Sequence, residues 1–95
     1  MQVISTRVLW EFWGKHPRSK RPLSAWHKLV SKADWQGPAD IKTAFGTNVH
    51  FVGDDKVIFD TGMKYRLTVS VSYHPYHRVL MTAVGTHHQI DAETV

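Results

Sequence analysis

The sequence contains no cysteine, and this absence removes several classes of protein at once. Without cysteine there is no disulfide framework, no thiolate nucleophile and no thiolate zinc site. Long apolar runs are absent as well, since the longest are far shorter than a membrane span. The opening MQVISTRVLWEF also lacks the basic-then-apolar order of a signal peptide. We therefore expect a cytoplasmic protein with no membrane partner.

The composition is that of one small folded domain. The chain has 95 residues, of which 42% are hydrophobic and 12% aromatic, so it predicts a single core and one domain over residues 1–95. The formal net charge is +4 and the pI is about 9.6. This excess of cations favours a polyanion such as nucleic acid, or an acidic protein, as the partner.

The first half of the chain has the periodicity of helices. After a short predicted strand, QVIS, either Ser5 or Thr6 can cap a first helix. A second helix follows a basic loop over residues 15–21 and has Pro22 in its first turn. PADIKTAF predicts one or two further helical turns before Gly46. The apolar positions that define the first two helices are Val8, Leu9, Phe12 and Trp13, then Leu23, Trp26, Val30 and Ala33.

After Gly46 the hydrophobic period changes to two, which is typical of β-strands. Short turns separate four alternating segments, VHFV, KVIF, KYRLTVSVSY and RVLMTAV. Together with QVIS they predict a mainly antiparallel sheet of four to five strands. We therefore expect an α+β fold in which the N-terminal helices pack on one face of that sheet.

One predicted strand carries its polar side chains on a single side. Alternation in KYRLTVSVSY directs one set of side chains toward the helices and the other toward the uncovered face. Arg66 lies near the middle of the set that points away from the helices, which we call the second set. Lys64 is two residues away, and Lys56 is on the adjoining strand. A single strand arginine is most often a solvated surface residue, whereas several cations on a concave polar face favour phosphate binding. The first set is Tyr65, Leu67, Val69 and Val71, and the second is Lys64, Arg66, Thr68, Ser70 and Ser72.

Four histidines lie in and after the last predicted hairpin. His74 and His77 form an HxxH pair, and His87 and His88 follow the last strand. A zinc site built from imidazoles is one interpretation, although structural zinc sites usually include thiolates or a helical HExxH frame. Proton transfer is a second interpretation, because imidazole titrates near neutral pH. The third interpretation is that these histidines are ordinary polar residues of turns and strand ends. We expect no metal and no other cofactor.

Four segments occur in a distinctive order along the chain: VIS followed by LWEFWGKHP, then AWHKLVSKADWQGPADIK, KVIFDTGMKYRLTVSVSY and GTHHQID. As a set they resemble the HigB toxins of bacterial toxin–antitoxin modules, within the RelE-like group of messenger-RNA endonucleases. The resemblance covers nearly the whole chain. It implies a RelE-like fold, entry into the ribosomal A site, cleavage of messenger RNA on the ribosome and inhibition by a cognate antitoxin. Any contact with operator DNA would be indirect, through the antitoxin.

The resemblance also implies roles for single residues. Arg66 in KYRL matches the strand arginine that RelE-like toxins use on the scissile phosphate. His87 in GTH matches the histidine that follows the last core strand of the family. Lys64 and Lys56 fall where basic residues help to bind the RNA, and Lys28 on the polar side of the second helix is a further RNA-binding candidate.

One departure from the family concerns the end of the chain. Family members commonly continue GTHAEYDKID, whereas this chain reads GTHHQID and lacks the tyrosine of that turn. Either Tyr76 or Tyr73 replaces it across the hairpin, or this toxin is weaker than its relatives. Both tyrosines are candidates for stacking an unpaired base, while Tyr65 is expected to face the core.

The chemistry of RNA cleavage selects the same residues. Cleavage without a metal requires a 2′-hydroxyl to lose a proton and attack in line, while the leaving 5′-oxygen gains a proton and charge builds on the phosphoryl oxygens. The guanidinium fork of Arg66 fits two phosphate oxygens and stays protonated, and His87 is the candidate proton-transfer group. Together with what the resemblance implies about the ribosome, this chemistry predicts a metal-independent, ribosome-associated endoribonuclease.

Other functions share part of this pattern. A non-catalytic RNA-binding or regulatory domain of the same fold would have the basic face but tolerate the loss of His87, and a zinc-dependent hydrolase would be sensitive to chelators. A corepressor role is compatible with the toxin, but the chain has no convincing helix-turn-helix. We expect an antitoxin to lay an apolar or acidic segment over the basic face. Core packing or a groove that faces the antitoxin explains the four tryptophans of the helical half.

Overall fold

The structure is a computed structural model that describes residues 1–53, 55–61, 65–73 and 75–86. Within these residues the strands and helices follow one another as the periodicity predicts. Their order and bounds are β1 (Gln2–Ile4), α1 (Arg7–Lys15), a 3₁₀ turn (Pro17–Ser19), α2 (Lys20–Lys32), α3 (Pro38–Phe45), a 3₁₀ turn (Gly46–Asn48), β2 (Val49–Val52), β3 (Lys56–Asp60), β4 (Tyr65–Ser72) and β5 (Arg78–Thr86). None of the helices in the described residues is long and apolar enough to cross a bilayer.

The start of α1 differs from the expected capping. Ser5 has a positive φ of 66° and turns the chain from β1 into the helix. Thr6 occupies the N-cap position, but its side chain makes no capping hydrogen bond. Its backbone is already helical, with φ −59° and ψ −19°, whereas a capping side chain needs the extended conformation to reach back to the first turn. Side-chain capping at this position was therefore a wrong expectation.

The basic segment between α1 and α2 is shorter than a loop over residues 15–21. Pro17 begins a 3₁₀ turn, for which its fixed φ is suited, and α2 then starts at Lys20. Ser19 is fully buried between the two helices, and its hydroxyl donates a hydrogen bond of 2.6 Å to the carbonyl of His16. Because the buried hydroxyl is satisfied in this way, the turn is closed tightly.

The described strands form one five-stranded sheet in the order β1-β5-β4-β3-β2. β2, β3, β4 and β5 pair as an antiparallel meander, and β1 joins the other edge parallel to β5. The amide of Gln2 donates a hydrogen bond to the carbonyl of His77, and the terminal amino group of Met1 donates one to the carbonyl of Ala33. The predicted α+β architecture with a mainly antiparallel sheet is confirmed.

All three described helices pack on the same face of the sheet. The side chains of Leu67, Val69 and Val71 are buried against them, as the alternation of β4 predicts. Phe59 of β3 lies at the centre of this core, where its ring is 4.7 Å from Phe45. Its other ring contacts are Trp26 at 5.4 Å and Trp35 at 6.1 Å. Two of the four tryptophans therefore fill the core, as expected, whereas Trp10 of α1 is 58% exposed.

A β-bulge interrupts the pairing of β4 with β5. Thr68 pairs with Ala83 and Val69 pairs with Met81, so Thr82 is an extra residue in β5. The hydroxyl of Thr82 donates a 2.9 Å hydrogen bond to the carbonyl of Thr68. Beyond the bulge the alternation of β5 is reversed, and Ala83 shares a face with Thr68 instead of with Met81.

Candidate nucleic-acid interface

We call the side of the sheet opposite to the helices the distal face. Its side chains lie in cross-strand rows, because residues paired in a sheet point to the same side. Within β3, β4 and β5 the rows are Asp60, Arg66 and Gly85; Ile58, Thr68 and Ala83; Lys56, Ser70 and Leu80; and Ser72 with Arg78. Of the second polar set predicted for β4, the described members Arg66, Thr68, Ser70 and Ser72 thus lie on the side opposite to the helices.

Arg66 is held in place on the distal face. Its side chain is only 12% exposed, and its Nη2 atom lies 3.7 Å from Oδ2 of Asp60, the residue opposite on β3. Asp60 itself is 31% exposed. A cation with so little solvent contact requires compensating interactions, and the carboxylate across the strand provides one. Arg66 is therefore a partly buried, paired group and not the solvated surface residue that a strand arginine usually is.

Sequence reasoning missed Asp60, although a signal was present. β3 ends at Asp60 and β4 begins at Tyr65, and a short antiparallel connection brings the residues near its two ends opposite each other. An acid at the end of one strand and a cation at the start of the next is therefore a candidate cross-strand ion pair.

Lys56 lies on the same face as Arg66 but not beside it. It is opposite Ser70, two rows along the sheet, which corresponds to about 13 Å at 3.3 Å per residue. Its neighbourhood is mixed in charge, because the hydroxyl of Ser70 donates a 2.7 Å hydrogen bond to Oδ2 of Asp55. Lys56 is exposed and is placed to contact a part of a polyanion other than the part near Arg66.

The far end of the hairpin adds an arginine that sequence reasoning did not select. Arg78 pairs with Ser72 on the distal face, and its guanidinium lies 5.5 Å from the centre of the Tyr76 ring. Tyr76 is 64% exposed, so its ring is accessible for stacking. Arg78 lies six β4 residues from Arg66, or about 20 Å. The signal for Arg78 was its position directly after the aromatic turn and at the start of a strand.

Two predicted RNA-binding residues lie on the helical side. Tyr73 is partly buried against the core, and burial raises the pKa of its phenol above the ordinary 10.0, with a further contribution from the Asp40 carboxylate of α3. Lys28 is exposed on α2. Tyr65 also faces the helices, as expected, with its ring 5.7 Å from that of Phe12. The structure therefore brings together Arg66 and Lys56 on one face, but it does not bring Tyr73 or Lys28 to that face.

The remaining candidate site residues are the histidines and Lys64. His77 has a positive φ of 50°, and its Nδ1 lies 3.0 Å from Oδ1 of Asp34, so it links the hairpin to the end of α2. Among the described residues there is no group of three or more His, Cys, Asp or Glu side chains that could hold a metal ion. The predictions for Lys64, His74, His87 and His88 fall outside the described residues.

The fold and the distal face define a small α+β protein with a paired arginine on the side of a mainly antiparallel sheet opposite to the helices. Residues 19–93, which are 75 of the 95, match the HigB_toxin family, described as the RelE-like toxic component of a toxin-antitoxin system. The chain therefore belongs to the HigB family of RelE-like toxins. Membership in a toxin-antitoxin family implies that an antitoxin is its partner. No curated protein gave a significant sequence match.

Proposed function

We propose that this toxin is a metal-independent endoribonuclease that cleaves messenger RNA on the ribosome and is neutralised by its cognate antitoxin. The observation that supports this most strongly is Arg66, which lies on the distal face beside Asp60 in a chain of the HigB family. Its position in KYRL corresponds to the strand arginine of RelE-like toxins. Attack of a 2′-hydroxyl on the scissile phosphate is the proposed reaction.

In this reaction Arg66 stabilises the charge that builds on the phosphoryl oxygens. A guanidinium presents five N–H donors in one plane, and a carboxylate on the Nη2 side favours the orientations in which that edge faces Asp60. A donor group that is oriented before the substrate arrives loses less entropy when it binds the transition state. Asp60 would therefore act as a positioning residue for Arg66.

The other proposed roles follow from position and charge. His87 is the proposed proton-transfer group, on the basis of the GTH motif. Lys64 is proposed, also from sequence, to bind a phosphate beside the scissile one. Lys56 and Arg78 would contact phosphates further along the strand, and the exposed ring of Tyr76 would stack on an unpaired base. The ribosome would orient the message that these groups bind.

The proposal can be tested with purified protein and ribosomes that carry a defined message, with cleavage mapped by primer extension. We expect the wild type to cut in the A site, Arg66→Ala to lose at least a hundredfold in rate and Arg66→Lys to recover only part of it, because an ammonium cannot form the bidentate contact. His87→Ala should also lose activity. Arg7→Gln is the matched control, since Arg7 is a highly exposed arginine of α1.

Two further arms test the mechanism itself. A message with a single 2′-deoxynucleotide at the cleavage position should resist cutting, because the attacking hydroxyl is missing. Phenanthroline, which binds zinc but leaves the magnesium that the ribosome needs, should not slow the reaction. Cutting of the 2′-deoxy message, or full activity of Arg66→Ala, would refute the proposed chemistry.

A second function is supported by the burial of Arg66. A guanidinium that is 12% exposed and faces a carboxylate presents little surface to a phosphate. A non-catalytic RNA-binding or regulatory domain of the same fold would not depend on that contact. In the ribosome assay this alternative predicts binding of the programmed ribosome without cleavage, and unchanged binding by His87→Ala.

A further inference from the structure

An apolar groove lies on the helical side of the molecule, away from the distal face. It has a volume of about 200 Å³ and is lined by Pro22, Ala25, Trp26, Leu29, Phe45 and Thr61. Leu29 is 46% exposed at its edge, while Trp26 forms part of its buried wall. An exposed leucine beside a preformed concave surface is typical of a site that another molecule covers.

A row of basic side chains on α2 borders the groove. At 100° per residue, Pro22, Ala25 and Leu29 form one stripe of the helix. Arg21, Lys28 and Lys32 form the stripe next to it, and all three are exposed. From residue 12 to residue 33 the chain contains no Asp or Glu. The apolar stripe is therefore bordered by a row of positive charge on a helix that carries no acidic residue.

The positive charge of the sequence is concentrated in the segment that contains the described helices. Residues 1–48, which include all the described helices, contain eight Lys and Arg against three Asp and Glu, a formal charge of +5. Residues 49–95 contain four against five, a charge of −1. The net +4 thus arises from the segment that contains the described helices. Electrostatic attraction therefore favours an acidic partner at the helices.

We infer that the α2 groove, meaning the apolar lining together with Arg21, Lys28 and Lys32, binds an acidic amphipathic segment of the antitoxin. Apolar side chains spaced by three and four residues would enter the groove, and carboxylates on the adjacent side of the segment would meet the cations. The inference rests on the proposed control by an antitoxin and adds the surface on which it binds.

Two other occupants fit the groove less well. A second copy of this chain would bring two rows of cations together, which is unfavourable for a protein of charge +4. RNA would satisfy the cations, but Trp26 is 3% exposed and offers no ring face for base stacking, so the apolar lining would remain unused. A protein segment satisfies both the apolar and the charged parts of the surface.

The groove is on the other side of the sheet from Arg66 but is connected to it through the chain. Thr61, which lines the groove, directly follows Asp60. Its amide and its hydroxyl both donate to the carbonyl of Tyr65, at 3.1 and 3.0 Å. A segment bound in the groove would therefore contact the end of β3 without covering the distal face.

The test uses the cognate antitoxin, with binding to the full chain measured by calorimetry. We expect Leu29→Asp to weaken binding at least tenfold, because it places a carboxylate between the apolar lining and the acidic segment. Lys32→Gln should weaken binding less and reduce its salt dependence. Trp10→Ala and Arg7→Gln are the matched apolar and charged controls on α1, and both should bind within twofold of the wild type. Circular dichroism would confirm that each variant is folded.

The same variants are assayed for messenger-RNA cleavage, which separates the two proposals. Leu29→Asp should cut at the wild-type rate but resist the antitoxin. Wild-type antitoxin affinity in this variant would overturn the groove assignment while leaving the endonuclease proposal intact. Loss of ribosome or RNA binding, or a change of oligomeric state, would assign the groove to RNA or to a second copy and would also overturn the inference. A wild-type chain that does not bind the antitoxin would refute antitoxin control itself.

Discussion

The ion pair between Asp60 and Arg66 allows a quantitative prediction. At an effective dielectric constant of about 20, unit charges 3.7 Å apart attract each other by about 4.5 kcal/mol, before the cost of removing them from water. Exposed pairs contribute about 0.2–1 kcal/mol, and removal of one partner of a buried pair costs about 3–5 kcal/mol. With side chains 12% and 31% exposed, this pair lies between those limits. We therefore expect Asp60→Asn to lower the free energy of unfolding by about 1–2 kcal/mol.

The assay is a double-mutant cycle in urea, with Asp60→Asn, Arg66→Met and the double variant. Asn keeps the shape of Asp60, and Met keeps the apolar stem of Arg66 without its charge. Once Arg66 is replaced, the Asp60→Asn change should cost less than it does in the wild type, because the guanidinium opposite it on β4 has been removed. A coupling energy within about 0.3 kcal/mol of zero would refute the argument that Asp60 compensates the buried guanidinium. If Asp60 also positions Arg66 for catalysis, Asp60→Asn should slow cleavage while ribosome binding is retained.

Three further predictions concern the core, pH and salt. Phe59→Ala should lower the free energy of unfolding by about 3–5 kcal/mol in urea titrations, because the ring is fully buried, whereas the more exposed Phe51→Ala should cost about 1 kcal/mol or less. Because burial, with a further contribution from Asp40, raises the pKa of Tyr73 above 10.0, the folded state holds that proton more tightly than the unfolded state. The resulting stabilisation of the folded state is complete below about pH 10 and is lost as the pH rises through the folded-state pKa. The urea midpoint of Tyr73→Phe should therefore fall less steeply with pH than that of the wild type between about pH 9.5 and 11. Equal slopes of urea midpoint against pH would contradict this prediction. Lys56→Gln and Arg78→Gln should each reduce the slope of log binding constant against log salt for single-stranded RNA by about 0.7, and an unchanged slope would remove that residue from the interface.

Much of the fold follows from local pattern. The helices lie where apolar residues recur every three or four positions, and the strands lie where they alternate, because each periodicity directs one side of an element toward the core. Structural details that depend on contacts between residues distant in sequence were harder to predict from these local patterns. The N-cap geometry of Thr6 was predicted incorrectly, because the left-handed conformation of Ser5 turns the chain before it.

The arrangement of the candidate site was only partly predictable from the sequence. The distal position of Arg66 follows from the alternation of β4, and the family assignment is confirmed by the match over residues 19–93. Placing Tyr73 and Lys28 with Arg66 required knowledge of which side of the sheet each residue occupies. The structure places Tyr73 against the core and Lys28 on α2, so the sheet separates them from the distal face.

The sequence by itself determined the class of protein: the α+β order of elements, the HigB family and a strand arginine with cations on its own face. These properties depend on periodicity, composition and motifs, which are local. Only the tertiary structure decided that Arg66 is a partly buried group paired with Asp60, that the bulge at Thr82 reverses the alternation of β5, and that an apolar groove lies next to the cations of α2. Burial, register and concave surfaces arise when residues distant in sequence pack together, so no single segment contains them.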